Sequence, residues 1–387
     1  MKSSKKRRLS RSVQRALRFL GNYLSTMAFI GLSYAVVNDF SGFHRNMLQG
    51  QWQLGMFDID AALTVHALFV VLIALYALVL IPFYLRYPWL RSKAFVFLKG
   101  LVFSARRARR PMSRARAARL ARDRARLPLK ASLSPAAKQA GLALLLKFFF
   151  APLMINWCLN HAGDMGNSLV QFWDNLKDGV RGRALFDSSL FWACFQAILF
   201  VDTFLFTLGY IVETPALRNR IRSVDPTFFG WAICLACYPP YNDFTSRWLE
   251  WQSSDFPQFE NTGAHLAANI LLLASLAVYS WASVALGFKA SNLTNRGIVA
   301  RGPYAFVRHP AYTAKNLAWW IGALPNLYLV FADGDLRRAA YALLALCGWT
   351  TIYALRAITE ERHLLMGDNG YAEYMARVRH RFIPGLV

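Results

Sequence analysis

Two polar clusters near the C-terminal end of the chain carry the residue types best suited to chemistry. The first is the connector from Arg296 to Tyr312, which contains Tyr304, Arg308 and His309. The second is the stretch RAITEERH, from Arg356 to His363. Gly and Pro punctuate the connector, so we predict a loop with fixed bends rather than a membrane span. Because one predicted helical hairpin separates the two clusters, we expect them to form a single site.

The second cluster has the spacing of one helix face. Arg356, Glu360 and His363 fall at positions i, i+4 and i+7, which lie on the same side of a helix. Glu361 points about 100° away from Glu360. An ordinary ion pair at a helix end would give the same spacing. The dense polar connector upstream favours a functional cluster.

The elements that position these clusters are predicted to be membrane helices. The chain has 387 residues, 56% of them hydrophobic, and the apolar residues come in blocks of about 20, the length that crosses a bilayer. The fold class is therefore predicted as all-α, a polytopic membrane protein with about eight transmembrane helices. The predicted spans are about 19–37, 61–85, 138–159, 190–212, 227–238, 264–288, 313–331 and 338–353.

The charge of the loops predicts the orientation of the helices. The net charge of +24 comes from basic loops, and cytoplasmic loops collect Lys and Arg. No nucleic-acid-reading module is recognisable, so nucleic acid is not an expected partner, and anionic lipid headgroups are. Basic and acidic loops alternate strictly, which places both termini and both polar clusters in the cytoplasm. The basic loops are 1–18, 86–137, 213–226 and 289–310, and the acidic or mixed loops are 39–60, 161–188, 241–263 and 333–335.

We predict three regions along the chain. A basic cytoplasmic arm covers 1–18, N-terminal membrane helices cover 19–263 and include the basic loop 86–137, and the region carrying both clusters covers 264–387. The Ala- and Arg-rich composition indicates a bacterial protein of the inner membrane.

Two other features of the spans bear on function. Asp202 lies within the fourth predicted span. An intramembrane carboxylate indicates a functional site, although a protonated Asp that bonds a neighbouring helix would look the same. Cys234 and Cys237 form the single CxxC, which apolar flanks make more typical of helix packing than of a metal site. We therefore predict no metal.

The motifs of the C-terminal region resemble a known family. GPYAFVRHPAY, then EE about fifty residues later and GYAEYMARVRHRFIP, resemble the isoprenylcysteine carboxyl methyltransferases and the related phospholipid methyltransferases. The resemblance covers about 264–387. It implies a cofactor pocket that faces the cytoplasm and binds S-adenosylmethionine. The first 260 residues do not resemble the compact core of that family.

The resemblance also implies a role for individual residues. Glu360 would hold the amino-acid end of the cofactor, and Arg356 would contact the substrate and act in catalysis. Glu361 is a second catalytic candidate, because an amine or thiol acceptor needs a proton acceptor. The implied cofactor-binding residues are Arg296, Gly297, Ile298, Val299, Tyr304, His309, Pro310, Ala311, Tyr312 and Glu360.

The identity of the methyl acceptor stays open at this point. A lipidic or prenylated small molecule is expected, because the clusters lie at a membrane surface. A prenylated cysteine, a phospholipid amine, a thiol and a quinone-like lipid all fit. The HRFIP ending also resembles the sterol reductases, which predicts a nicotinamide cofactor instead. A third possibility is a non-catalytic membrane protein that binds a partner.

Overall fold

The computed structural model describes residues 10–53, 62–109 and 133–386, and about 75% of the chain is helical. Residues 1–9 of the predicted basic arm and residues 110–132 of the predicted basic loop lie outside the described residues. The helices are α1 (Arg11–Phe40), α2 (Gly42–Leu48), α3 (Val65–Arg86), α4 (Lys93–Arg109), α5 (Pro135–Lys177), α6 (Gly182–Leu185), α7 (Phe191–Ile211), α8 (Phe228–Leu235), α9 (Tyr241–Ser246), α10 (Thr262–Leu286), α11 (Pro310–Ala332), α12 (Leu336–Leu365) and α13 (Tyr371–Arg377). Two short antiparallel pairs join β1 (Gln51–Gln53) to β2 (Ala62–Thr64) and β3 (Ser223–Val224) to β4 (Thr294–Asn295).

Six helices in the described part of the chain are long and apolar enough to cross a membrane. They are Arg11–Phe40, Val65–Arg86, Pro135–Lys177, Gly182–Ile211, Thr262–Lys289 and Leu336–Leu365. The chain is thus a mostly helical, multi-pass membrane protein, while the predicted count of eight spans is not confirmed. The seventh predicted span does form a helix, α11, but it is not among these six.

The chain divides into two compact units. One comprises Met1–Phe40 and Val70–Phe148, and the other comprises Ser41–Phe69 and Phe149–Val387. Both polar clusters belong to the second unit.

In the first unit, a buried side-chain amide holds the loop that precedes α4. Asn22 is 2% exposed, and its Nδ2 donates to the Leu90 carbonyl at 2.9 Å. Its Oδ1 accepts from the Ser92 amide at 2.8 Å. The Asn22 side chain thus provides a partner for one carbonyl and one amide of the loop before α4. A buried polar group without a partner is costly, so these two bonds hold the loop against α1.

In the second unit, α7 and α10 run in the same direction. At their beginning, His265 Nε2 lies 2.9 Å from Asp187 Oδ1, just before α7. Near their end, Gly209 packs against the Ala290 carbonyl so closely that a Cβ atom would not fit. Two helices that are parallel need a connection that returns along their whole length. Residues 212–261 must therefore lead back from the end of α7 to the beginning of α10.

This returning connection is not a spanning helix. The fifth span predicted from the sequence, 227–238, contains only the eight-residue helix α8. At 1.5 Å per residue such a helix is about 12 Å long, less than half the thickness of a bilayer core. The double proline at Pro239 and Pro240 follows it, and the chain then continues through α9 into irregular backbone.

The neighbouring helices provide hydrogen-bond partners for the backbone in the irregular part of the connection, 247–261. The Trp349 indole donates to the Leu249 carbonyl at 2.9 Å, and the Ser254 amide donates to the Gly322 carbonyl at 3.0 Å. Non-helical backbone is tolerated at membrane depth only where protein groups of this kind replace water.

Two further differences from the sequence predictions concern helix ends. The third predicted span, 138–159, is part of the longer helix α5, which continues to Lys177 through what was predicted as a loop. The last predicted span, 338–353, is part of α12, which continues to Leu365 and carries the second polar cluster on its final turns. α12 runs antiparallel to α11, and Trp320 Nε1 donates to Thr350 Oγ1 at 3.1 Å between them.

We predict that Gly322→Ala destabilises the protein by about 1–3 kcal/mol, the usual effect of overpacking. A Cβ atom at residue 322 would overlap the Ser254 backbone and the Ser253 side chain. Thermal unfolding in detergent, followed by circular dichroism, measures the effect. Gly166→Ala in α5 is the matched control, because its Cβ atom would meet no atom within 4 Å. Equal midpoints for the two variants would contradict close packing of the connection against α11.

Candidate functional site

The two polar clusters meet in one cavity of the second unit, with a volume of about 170 Å³. A single water needs roughly 10–15 Å³ measured in this way, so the cavity has room for a small molecule. Of the residues predicted for the site, those that line it are Arg296, Gly297, Ile298, Val299, Tyr304, His309, Ala311, Tyr312, Arg356 and Glu360. Pro310 and Glu361 do not line it. Pro310 occupies the first turn of α11, where a proline is favourable because it lacks an amide hydrogen.

The connector is held in place at its beginning by the β3–β4 pair. Ser223 pairs with Asn295, and Val224 pairs with Thr294. The chain then turns at Gly297, whose φ is 94°. Any other residue would be strained at this φ, and its Cβ atom would lie 3.1 Å from the Arg222 guanidinium. This turn brings the backbone of residues 297–299 to the wall of the cavity.

A pair of stacked rings and one carboxylate form the opposite part of the wall. The His309 and Tyr312 rings lie 5.5 Å apart and nearly parallel, at 8°. The Tyr312 hydroxyl donates to Glu360 Oε1. The other oxygen, Oε2, lies 3.9 Å from His309 Nδ1. Glu360 is 26% exposed, so its carboxylate has capacity to accept further hydrogen bonds from a ligand.

Glu361 does not line the cavity, and it binds two arginines and a histidine. Its Oε1 accepts from Arg308 Nε at 2.8 Å and lies 3.2 Å from His309 Nε2. Its Oε2 accepts from Arg381 Nη2 at 2.8 Å. Because both oxygens are engaged and the residue is buried, this placement favours a structural role over the predicted role in catalysis.

Arg308 ties the connector to the C-terminal segment. Its Nη1 donates to the Val378 carbonyl at 2.9 Å. The Arg308 amide donates to the His380 carbonyl at 3.0 Å, and the His309 amide donates to the Arg381 carbonyl at 2.9 Å. The chain end therefore lies along the connector and closes one side of the site.

Arg356 lies at the inner part of the cavity, 2% exposed. Its guanidinium carbon is 4.9 Å from the centre of the Tyr312 ring, 5.1 Å from Tyr353 and 5.4 Å from Tyr238. Its Nη2 donates to Asn292 Oδ1 at 3.0 Å, while its Nε has no hydrogen-bond partner among the described residues. Aromatic faces stabilise this cation without occupying its donors.

The third member of the predicted helix face does not reach the cavity. His363 is buried, and its Nε2 lies 3.0 Å from Ser223 Oγ in β3. It therefore links the second cluster to the strand pair below the connector.

The structure also adds residues that the motifs did not indicate. Tyr353 and Lys315 line the cavity. Each lies three residues along its helix from a predicted residue, Arg356 and Tyr312, so extending each helix face by one turn would have found them. Tyr279 and Ser283 also line the cavity, from α10. Their spacing of four residues puts them on one face of α10. That face could be connected with the site only through their contact with Asp202, which the sequence does not reveal.

Helix α13 contributes two tyrosines to the cavity, Tyr371 and Tyr374. Burial raises the pKa of Tyr374 to about 12, so its hydroxyl stays protonated at neutral pH. It donates to the Tyr304 carbonyl at 2.8 Å. This contact fixes the C-terminal helix against the bend of the connector.

We predict that Glu361→Gln destabilises the protein by about 3–5 kcal/mol, because it leaves the buried Arg308 charge without its partner. The C-terminal segment should also detach, so trypsin should cut it faster, with Tm and cleavage rate as the measurements. Glu373→Gln is the matched control, since Glu373 is exposed in α13 and its substitution should stay within about 0.5 kcal/mol. An unchanged cleavage rate in Glu361→Gln would contradict the structural role.

Comparison with known proteins gives no match: no family model, no curated protein and no solved structure is similar to the chain. A function must therefore be argued from the motifs and from the geometry of the cavity.

Proposed function

We propose that this protein is an S-adenosylmethionine-dependent methyltransferase of the isoprenylcysteine carboxyl methyltransferase type. It transfers a methyl group to a lipidic or membrane-embedded acceptor at the cytoplasmic face of a bacterial inner membrane. The observation that carries the proposal is the cavity itself. Residues of the connector and of α12, about fifty positions apart in sequence, line one cavity, and Tyr304, His309, Tyr312 and Glu360 among them belong to the motifs of the family.

The wall of the cavity fits the parts of this cofactor. His309 and Tyr312 place aromatic rings in the wall, and such rings suit an adenine. Gly297, Ile298 and Val299 of the connector line the cavity and would contact the cofactor beside these rings. Glu360 would hold the ammonium group of the amino-acid end, since it lines the cavity and is not paired with an arginine or lysine in the described structure.

The chemistry that this cofactor supplies is a methyl group activated on a sulfonium. Methyl transfer from such a group needs mainly that donor and acceptor be held in line. Rigid walls serve that need, and here the connector is tied to α12 and to the chain end by the contacts of Glu361 and Arg308. Arg356 would hold a polar group of the acceptor, because its guanidinium belongs to the wall of the cavity.

We infer eight membrane crossings for this topology. Beyond the six long apolar helices, α11 would be one crossing and the broken connection 212–261 another. The parallel direction of α7 and α10 supports the second, because the chain must return between them. With the basic loops inside, both termini and the cavity would face the cytoplasm.

The orientation can be tested with single cysteines at two exposed positions. Asp333→Cys lies at the tip between α11 and α12, and Asp368→Cys lies just after α12. On right-side-out spheroplasts, a membrane-impermeant maleimide should label Asp333→Cys at once and Asp368→Cys only after permeabilisation. The unsubstituted protein measures the background from its own five cysteines. Labelling of both positions from the same side would contradict the topology.

The cofactor can be tested by calorimetric titration of the purified protein in detergent. S-adenosylhomocysteine should bind saturably and NADPH should not. Glu360→Gln should raise the Kd for S-adenosylhomocysteine about ten- to a hundredfold, because a charge-assisted hydrogen bond contributes about 1.5–3 kcal/mol. Glu373→Gln should leave the Kd unchanged.

Other outcomes would redirect the assignment. Binding of NADPH alone would move the protein to the reductases. Binding of neither compound would favour a non-catalytic membrane protein. An unchanged affinity in Glu360→Gln, with S-adenosylhomocysteine still bound, would show that Glu360 is not the contact for the amino-acid end.

A further inference from the structure

An intramembrane carboxylate lies directly behind the wall of the cavity. Asp202, in α7, is 5% exposed. The Tyr279 hydroxyl donates to its Oδ2 at 2.5 Å, and the Ser283 hydroxyl donates to its Oδ1. Both donors line the cavity, while Asp202 itself does not. A hydroxyl that faces the cavity and hydrogen-bonds a buried carboxylate can pass a proton from the cavity to that carboxylate.

A cation on α11, Lys315, completes this cluster. Lys315 lines the cavity, and its Nζ lies 5.4 Å from the centre of the Tyr279 ring and 5.6 Å from that of Trp319. Its charge and that of Asp202 attract each other. The cluster therefore holds a cation, a proton-accepting carboxylate and a bridging hydroxyl at the inner part of the cavity.

We propose that this cluster binds the acceptor and that the acceptor reacts through a hydroxyl group of phenolic or enolic acidity. The proposal rests on the proposed methyltransferase function and names its substrate class. Tyr279 and Lys315 contact the acceptor oxygen. Asp202 acts through Tyr279 as the final proton acceptor.

The proton and electrons balance in one displacement. The acceptor hydroxyl gives its proton to the Tyr279 oxygen, and Tyr279 gives its own proton to Asp202 Oδ2. The electron pair of the broken O–H bond forms the new oxygen–carbon bond. The pair of the broken carbon–sulfur bond stays on sulfur, so the donor leaves as a neutral thioether. Lys315 stabilises the negative charge as it moves from Asp202 to the acceptor oxygen.

Other acceptor classes fit this cluster less well. A carboxylate is already ionised at neutral pH, so it needs no proton acceptor and would leave the Tyr279–Asp202 pair without a role. A protonated amine would lie beside Lys315 and Arg356, two cations that line the same cavity. A weakly acidic hydroxyl enters neutral, and it uses both the cation and the carboxylate.

The binding test uses three probes that differ only in their polar group. The purified protein is saturated with S-adenosylhomocysteine and titrated with 4-hexylphenol, 4-hexylbenzoate or 4-hexylbenzylamine. The phenol should bind at least about tenfold tighter than the other two. Tyr279→Phe and Asp202→Asn should each weaken phenol binding about tenfold and leave the affinity for S-adenosylhomocysteine unchanged.

The control for these variants is Tyr341→Phe, because Tyr341 is 42% exposed and does not line the cavity. Tightest binding of the benzoate or the benzylamine, or of none of the probes, would overturn the proposal. Equal phenol affinity in all variants would do the same. A protein that binds the phenol but not S-adenosylhomocysteine would contradict the methyltransferase function and leave the binding cluster supported.

A rate measurement distinguishes a role of Asp202 in proton transfer from a purely structural role. With tritium-labelled S-adenosylmethionine, Asp202→Asn should slow methylation of 4-hexylphenol by roughly a hundredfold, the usual effect of losing a proton acceptor. For 2,3,5,6-tetrafluoro-4-hexylphenol, which is ionised at neutral pH, the loss should be less than about tenfold. Equal losses for both phenols would show a structural defect and overturn the role of Asp202.

Discussion

The shape of the cavity depends on the hydrogen bonds and ion pairs of the Glu361 carboxylate. One side chain on α12 fixes Arg308 and His309 of the connector and Arg381 of the chain end. These groups lie far apart in sequence, and nothing local would bring them together. A buried carboxylate shared by several donors is stable because each cation removes part of its desolvation cost. The neighbouring carboxylate, Glu360, is thereby left to face the cavity.

The division of labour between the two glutamates follows from helix geometry. Adjacent residues on a helix differ by about 100°, so only one of them can face the cavity while the other faces the connector. The acidic pair thus supplies one structural carboxylate and one carboxylate that faces the cavity, from a single turn. A single acid could not do both, since the three partners of Glu361 already use its two oxygens.

The sequence predicted the parts of this arrangement that depend on local spacing. The shared helix face brought Arg356 and Glu360 to the cavity, and the Gly-containing connector formed the expected bends. Contacts between distant segments were not predictable in the same way. Asp202 and Tyr279 are 77 positions apart, and no period or motif links them. The apolar composition of 227–238 predicts a spanning helix, whereas the helix that forms there, α8, ends after 8 residues, before the two prolines.

Aromatic rings lie beside two cations of the cavity. Three tyrosine rings surround Arg356, and a tyrosine and a tryptophan ring lie beside Lys315. An arginine paired with a carboxylate would have its donors occupied and its charge neutralised. Aromatic faces instead attract the charge without accepting its hydrogen bonds. The tyrosines that line this cavity therefore have a physical role: their ring faces stabilise positive charge that is removed from water.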